Sequence, residues 1–307
     1  MTQTIGFIGL GLMGAGFTKR LVSQGIAVVG HDIDDAKLDA AKAWGVKPAS
    51  SPAEVARRCD LVCICVTTTK AVAAVVSGDD GIVSAGKIAG KVIVDFSTTE
   101  MATTRTVAAA LAGAGAKFID APVSGGPPAA EAGTLAIMAG GNDDAIEAAL
   151  PVLKLLGQVT HMGPTGAGQA TKLVNQALCL TNYCIVAEGL RIAQAYGVDA
   201  AKIPQALAPG LGNSAVLQAI YPRMVAGDYA PRGYARQILK DLEMLHEATR
   251  EQHIATPMTT QALTMFRMLV AQGHSELDGA AIVTLLPEPE PAGAPMMPGL
   301  RGPHGRT

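Results

Sequence analysis

The sequence predicts an α/β fold: an N-terminal doubly wound parallel sheet followed by an all-α C-terminal domain. Three observations predict it. Over the first half, short Val/Ile/Cys-rich runs alternate with Ala-rich amphipathic stretches, which is the pattern of βαβ units. From Gly168 onward that alternation disappears, and long Ala/Leu/Met periodic segments take over. At 307 residues the chain is long for one core, and ordinary domain sizes divide it in about two.

The candidate strands, in order, are 4–8, 27–31, 61–66, 92–96, 117–121, 135–139 and 159–162, each close to the Gly, Pro or Asp residues that turns demand. The first helix of the second half is predicted over 169–196, and it is apolar apart from Lys172, Asn175, Gln176, Asn182, Glu188 and Arg191. A helix apolar on every face must be buried, which predicts packing between domains or between subunits. Residues 287–307 are rich in Pro and Gly and aperiodic, so they bury too little to offset the entropy of ordering. They are expected to form a flexible tail whose removal leaves fold and activity nearly unchanged. The expected division is therefore a sheet domain over 1–163, a helical domain over 164–286 and the tail over 287–307. No internal repeat is visible.

Composition excludes several classes of partner. A net charge of −2 with 16% charged residues offers no basic surface for a phosphate backbone, so nucleic acid is not an expected partner. Charged residues interrupt each long apolar stretch before it spans a bilayer, which predicts a soluble protein with no membrane partner. The N-terminus runs straight into a strand pattern, with no basic, apolar and cleavage regions in series. Five cysteines, with Cys59, Cys63 and Cys65 in or beside one apolar strand, fit neither a disulfide framework nor a metal site. Free thiols in a reducing cytoplasm, and no bound metal, are the expectation.

The first chemical motif is Gly6-Phe7-Ile8-Gly9-Leu10-Gly11-Leu12-Met13-Gly14. Gly9, Gly11 and Gly14 have G-x-G-x-x-G spacing, after a predicted strand and before an amphipathic helix, the context that a dinucleotide fingerprint needs. Gly9 permits the tight turn, Gly11 lets the backbone approach a pyrophosphate, Gly14 allows close helix packing, and the helix N-terminus faces the phosphate charge. An ordinary glycine-rich turn is the alternative. Asp32 stands 18 residues after Gly14 at the end of the second strand, where a carboxylate accepts hydrogen bonds from ribose hydroxyls. Taken alone it also reads as a turn aspartate beside Asp34 and Asp35. Taken together these residues predict a Rossmann-type sheet. Ile33 follows Asp32 where a 2′-phosphate pocket would want Arg or Lys, so NAD is predicted over NADP.

Two further motifs concern chemistry. Asp120-Ala121-Pro122-Val123-Ser124-Gly125-Gly126 ends in a hydroxyl and consecutive unshielded amides, a nest for a substrate carboxylate or a plain turn. Gly166-Ala167-Gly168-Gln169-Ala170-Thr171-Lys172-Leu173-Val174-Asn175-Gln176 opens the long helix, and Lys172, Asn175 and Gln176 share one face at i, i+3 and i+4. A lysine and an asparagine in an apolar setting are costly unless they have partners or work. The competing reading of Lys172 is a snorkelling side chain near the helix start.

These motifs, with Lys240-Asp241-Leu242 as a fourth, resemble the 3-hydroxyisobutyrate dehydrogenase, or β-hydroxyacid dehydrogenase, family, and the resemblance runs to about Leu286. Tartronate semialdehyde reductases and L-threonate dehydrogenases belong to the same group. The resemblance implies that Lys172 is the general acid/base and Asn175 orients the substrate, with Gln176 beside it. It also implies that Ser124, Gly125 and Gly126 hold the substrate carboxylate, that Thr98 contacts the cofactor, and that Lys240 lies near the nicotinamide end. Val66 and Thr67 stand where the family often has Leu-Pro along the cofactor, and Gln176 where it often has a second Asn. The implied protein is an NAD-dependent homodimer or homotetramer acting on a small carboxylate, of the 3-hydroxyisobutyrate, glycerate or threonate type. Lysine at its unperturbed pKa of about 10.4 is a poor base, so burial and a second cation, for which Lys240 is the candidate, are expected to lower it.

Three alternatives share parts of this pattern. A non-catalytic NAD-binding module would lack the lysine. An imine reductase carries another residue in its place. A 6-phosphogluconate dehydrogenase needs a longer helical region and a basic cluster for the phosphate.

Overall fold

A computed structural model of the chain describes residues 4–289. Most of the predicted 287–307 tail thus lies outside the described residues. The chain divides into two compact units. The first comprises the described residues up to Leu178 with Glu243–Ile254, and the second Cys179–Leu242 with the described residues from Ala255.

The first unit is built on a nine-stranded sheet. Its strands are β1 (Thr4–Ile8), β2 (Ala27–His31), β3 (Lys47–Pro48), β4 (Leu61–Ile64), β5 (Val92–Asp95), β6 (Lys117–Asp120), β7 (Val123–Ser124), β8 (Leu135–Gly141) and β9 (Gly157–Gly163). The order is β3-β2-β1-β4-β5-β6-β8-β7, with β9 paired to β8. From β3 to β6 every pairing is parallel, in the 3-2-1-4-5-6 order of dinucleotide-binding sheets. β8 runs antiparallel to β6 and β7 and parallel to β9.

Both faces of this sheet are covered, so its strands read as apolar runs while their side chains still alternate. Ile5 and Phe7 of β1, Leu61 and Cys63 of β4, and Val92 and Val94 of β5 enter one core. Ile8, Val62, Ile64 and Ile93 enter the other. The helices that cover the sheet are α1 (Leu12–Ser23), α2 (Asp35–Lys42), α3 (Pro52–Arg58), α4 (Thr69–Ser77), α5 (Met101–Gly113), α6 (Gly126–Ala132) and α7 (Asp143–Leu156). Phe17 of α1 lies with its ring centroid 5.5 Å from Phe7 and 4.6 Å from Phe96, which pins the first helix over β1 and the end of β5.

Strands β1 and β2 have the predicted bounds, whereas β4, β5 and β6 stop short of them. The first amides beyond these ends still bond to the neighbouring strand, Cys65 N–H to the Ile8 oxygen, Phe96 N–H to the Ile64 oxygen and Ala121 N–H to the Asp95 oxygen. Val66 N–H and Ser97 N–H, one residue further on, donate instead to Ser97 Oγ and Asp95 Oδ1, each at 2.9 Å. β3 and β7, two residues each, were not predicted. Val123 and Ser124 pair antiparallel with β8, and positive φ values of +131° and +71° fall on Gly125 and Gly126, the glycines read as a nest or a turn.

The long helix α8 spans Ala167–Ala195, close to the predicted 169–196, and runs from the first unit into the second. Within the single chain not every face of it is buried. Val174, Leu178, Ile185, Ile192 and Tyr196 remain exposed. At 100° per residue their spacing puts them within about 40° of one line along the helix.

The second unit contains α9 (Ile203–Leu207), α10 (Ala215–Ala219), α11 (Tyr221–Ala226), the first part of α12 (Ala235–Glu251) and α13 (Pro257–Ala271). It has its own core, around Leu190, Tyr221, Leu242, Phe266 and Ile282. Inside it Arg223 Nη1 lies 2.9 Å from Asp278 Oδ1, and both residues are buried. Asp278 also accepts hydrogen bonds from the amides of Arg232, Gly233 and Ala280. The Arg223 Nε donates to Asp228 Oδ2 at 3.0 Å. Among the described residues, no helix is long and apolar enough to cross a membrane.

Candidate active site

The glycine motif occupies the turn from β1 into α1, at the carboxyl end of the sheet where the strand order reverses between β1 and β4. Crevices at such reversals are where open α/β sheets bind ligands. Gly9 has φ +95°, and a Cβ there would lie 2.2 Å from the carbonyl oxygen of Cys65, beyond β4. On Gly14 a Cβ would meet the Gly9 oxygen at 2.0 Å, so neither position admits a side chain without moving backbone. At Gly11 the opposite holds: a Cβ would find nothing within 4 Å. Gly11 is also the N-cap of α1, with no side-chain capping bond and no acidic residue in the first turn. The first intrahelical bond comes from Ala15 N–H to the Gly11 oxygen, which leaves the amides of Leu12, Met13 and Gly14 directed out of the helix end. Open space, outward amides and an uncapped helix N-terminus suit a pyrophosphate.

Asp32, just beyond β2, accepts hydrogen bonds from Leu10 N–H at 2.7 Å through Oδ2 and from Asp34 N–H at 2.9 Å through Oδ1. Its carboxylate thus ties the glycine loop to the second strand. Each oxygen keeps a further acceptor site for a hydroxyl. Ile33 is 96% exposed, and Lys37, the cation on the first turn of α2, lies 3.2 Å from Asp34. Val66 and Thr67 follow β4, and Thr98 follows β5, so all three lie in turns at the same carboxyl edge as Gly9.

At the other motif, Lys172 of α8 is buried, 7% exposed, and its Nζ donates to the carbonyl oxygen of Val123 at 2.8 Å. That carbonyl directly precedes Ser124, Gly125 and Gly126, so Lys172 Nζ stands beside the predicted carboxylate loop. Asn175 and Gln176 are joined by a bond from Asn175 Nδ2 to Gln176 Oε1 at 2.8 Å. Lys240 belongs to the second unit, on α12, where its Nζ lies 3.0 Å from Asp241 Oδ1.

Two buried carboxylates and one carboxamide beneath the site were not singled out in the sequence. Asp120, at the end of β6, accepts from Gly166 N–H at 2.7 Å and Gln169 N–H at 2.8 Å, and so caps the start of α8. Asp95 lies beside it in the sheet register. Burial pushes both carboxyls up, to about 6, against the lowering by the N–H and O–H groups they accept. Gln169 binds the segment after β5 through Thr99 N–H to Oε1 and Nε2 to the Ser97 oxygen. A glutamine at the start of an otherwise apolar helix was the available signal, but its partners are 70 and 72 residues away in sequence. All five cysteines are free thiols, and no cluster among the described residues has the donors to hold a metal ion.

Comparison with known proteins supplies the lineage. A family model for the NAD-binding domain of 6-phosphogluconate dehydrogenase matches residues 4–163. A second, for the NAD-binding segment of NADP-dependent 3-hydroxyisobutyrate dehydrogenase, matches 166–286. The 2-(hydroxymethyl)glutarate dehydrogenase of Eubacterium barkeri is 35% identical over 282 residues, 91% of this chain and 93% of its own. The L-threonate dehydrogenase of Cupriavidus necator is 31% identical over 94% of this chain and 97% of its own. A solved structure of 3-hydroxyisobutyrate dehydrogenase from Salmonella typhimurium superposes with a TM-score of 0.84 at 28% identity, over 92% of this chain and all of that one. With family models along nearly its whole described length and relatives above 30% identity over nine-tenths of it, the chain belongs to the 3-hydroxyisobutyrate dehydrogenase family of nicotinamide-dependent hydroxyacid oxidoreductases.

Proposed function

We propose that the protein is an NAD-dependent dehydrogenase of a small 3-hydroxy acid, with Lys172 as its general acid/base. The observation that carries this is the buried Lys172 amine, its Nζ held 2.8 Å from the Val123 oxygen at the edge of the Ser124-Gly125-Gly126 loop. A buried amine is costly unless it has partners or work, and the adjacent Ser124-Gly125-Gly126 loop has the hydroxyl and amides that suit a carboxylate, which supports this reading.

In the proposed reaction, Ser124 Oγ and the amides of Gly125 and Gly126 hold the substrate carboxylate, and Asn175 with Gln176 orients the hydroxyl at the β carbon. Lys172 Nζ, as the neutral amine, takes the hydroxyl proton as the carbon–hydrogen bond breaks and becomes the ammonium; in the reverse direction the ammonium gives that proton to the forming alkoxide. The nicotinamide ring, when bound, supplies the hydride acceptor. Gly9, Leu10, Gly11, Leu12, Met13 and Gly14 would hold its pyrophosphate, Asp32 the adenine ribose, and Val66, Thr67 and Thr98 the strand-end side of the dinucleotide.

NAD is proposed over NADP because Asp32 would repel a 2′-phosphate and the exposed Ile33 offers no compensating charge. One experiment tests substrate class and cofactor together: a panel of 3-hydroxy acids, each with NAD and NADP, followed at the NADH absorbance band. The expected result is turnover of at least one acid with the higher kcat/KM on NAD. Equal or better use of NADP would overturn the cofactor assignment, and no turnover on any acid would favour a non-catalytic module.

The free thiols fit a reducing cytoplasm. The exposed line of Val174, Leu178, Ile185 and Ile192 on α8, with Tyr196 directly after it, supports a homodimer or homotetramer, since contiguous apolar surface usually marks a partner site. Sedimentation velocity is expected to give a dimer or larger at micromolar concentration; a monomer there would remove the oligomer from the proposal.

A further inference from the structure

Four segments of the first unit meet in one hydrogen-bonded chain, and Gln169 is its centre. Val66 N–H, beyond β4, donates to Ser97 Oγ at 2.9 Å. Beyond β5, the Ser97 carbonyl accepts from Gln169 Nε2 at 2.8 Å, and Thr99 N–H donates to Gln169 Oε1 at 3.1 Å. The main chain of Gln169 reaches the third strand end, its N–H donating to Asp120 Oδ2 at 2.8 Å. Lys172 follows at i+3, on the same side of the helix, and its Nζ is fixed to the oxygen of Val123, three residues after Asp120. The stretch from Asp120 to Val123 therefore holds α8 at both Gln169 and Lys172.

The chemistry of the contacts selects the residue. The segment after β5 presents a donor, Thr99 N–H, and an acceptor, the Ser97 carbonyl, to a side chain that is 2% exposed. A carboxamide matches both. Glutamate would place a carboxylate against a carbonyl oxygen, and an apolar side chain of the same length would leave two buried backbone groups unpaired.

We propose that Gln169 is a positioning residue, whose carboxamide sets the segment Ser97–Thr99 against the helix turn that carries Lys172 and so fixes the acid/base relative to the cofactor side of the site. This rests on the reading of Lys172 given above. Gln169 itself touches no reacting atom. Its contribution is alignment, and a displacement of about 1 Å at a reacting group costs on the order of 10² in rate.

Gln169→Met, which keeps the length and removes the carboxamide, and Gln169→Glu, which keeps one acceptor, test this beside Lys172→Ala. Expected for both Gln169 variants is a kcat about 10–100-fold below the parent, with NADH affinity and KM within about 3-fold. In the Lys172→Ala background, Gln169→Met is expected to lower kcat no further, because a group aligned for an absent side chain has nothing left to align. A parent-like kcat in folded Gln169 variants, an equal loss of NADH affinity, or a full additional loss in the Lys172→Ala background would each overturn the assignment. Failure of both variants to give a cooperative melt would also overturn it, in favour of a structural brace. If Lys172→Ala keeps kcat, the acid/base reading falls and the role of Gln169 with it; if only the Gln169 variants keep kcat, Lys172 stands and Gln169 does not.

Discussion

Lys172→Ala is expected to lower kcat by about 10²–10⁴ on the best substrate of the panel, the usual cost of removing a general acid/base. NADH affinity is expected to stay within a few-fold of the parent, as measured by fluorescence titration. The reason is spatial. The glycine turn closes on Cys65 and on Asp32, and Lys172 enters neither contact; its Nζ is bound to Val123. Lys172→Arg is expected to rescue poorly, since a guanidinium stays protonated and cannot accept the hydroxyl proton at neutral pH. A kcat within a few-fold of the parent in Lys172→Ala would remove Lys172 from the chemistry and make Lys240 the next residue to test.

Asp278→Ala is expected to destabilise the second unit by about 3–5 kcal/mol, the range found when one partner of a buried ion pair is deleted. Asp278 is 2% exposed and receives Arg223 together with the amides of Arg232, Gly233 and Ala280. Its loss leaves a buried guanidinium and several amides without that acceptor, in a part of the chain whose local path those bonds define. Arg223 keeps Asp228 and the Ala230 carbonyl, so Arg223→Ala removes more contacts and is expected to cost at least as much. Urea unfolding followed by circular dichroism reads the effect as a lower midpoint. A midpoint within experimental error of the parent for Asp278→Ala would show that the 228–233 segment and the 278–280 turn are held by the apolar core alone.

How much of this was legible depends on where the controlling interaction lies in the chain. β1 and β2 were readable to the residue because their apolar alternation is bounded by Gly and Asp within a few positions. The glycine turn was readable for the same reason, since its steric demands are set by neighbours in sequence and by one recurrent strand crossing. The ends of β4 and β5 were not, because Val66 N–H leaves the sheet for a side chain 31 residues away. β7 was not readable because a two-residue strand carries no periodicity, and only its antiparallel partner β8 makes it one. The long helix was readable in extent, whereas its exposed line of Val174, Leu178, Ile185 and Ile192 was not, because apolar composition does not say which face finds a cover.

The sequence by itself determined the order of βα units, the dinucleotide motif with Asp32, the change to helices after Gly168, and the common face of Lys172, Asn175 and Gln176. Those follow from local sterics and from the periods of strand and helix, which a short window contains. Tertiary structure alone decided what Lys172 is bound to, why α8 begins where it does, and which polar groups beneath the site are paired. Asp120 caps that helix across 46 residues of chain, and Gln169 reaches the end of β5 across 70. Buried hydrogen bonds of that span depend on which strands become neighbours in the sheet, and neighbourhood in the sheet is a property of the folded topology rather than of any stretch of sequence.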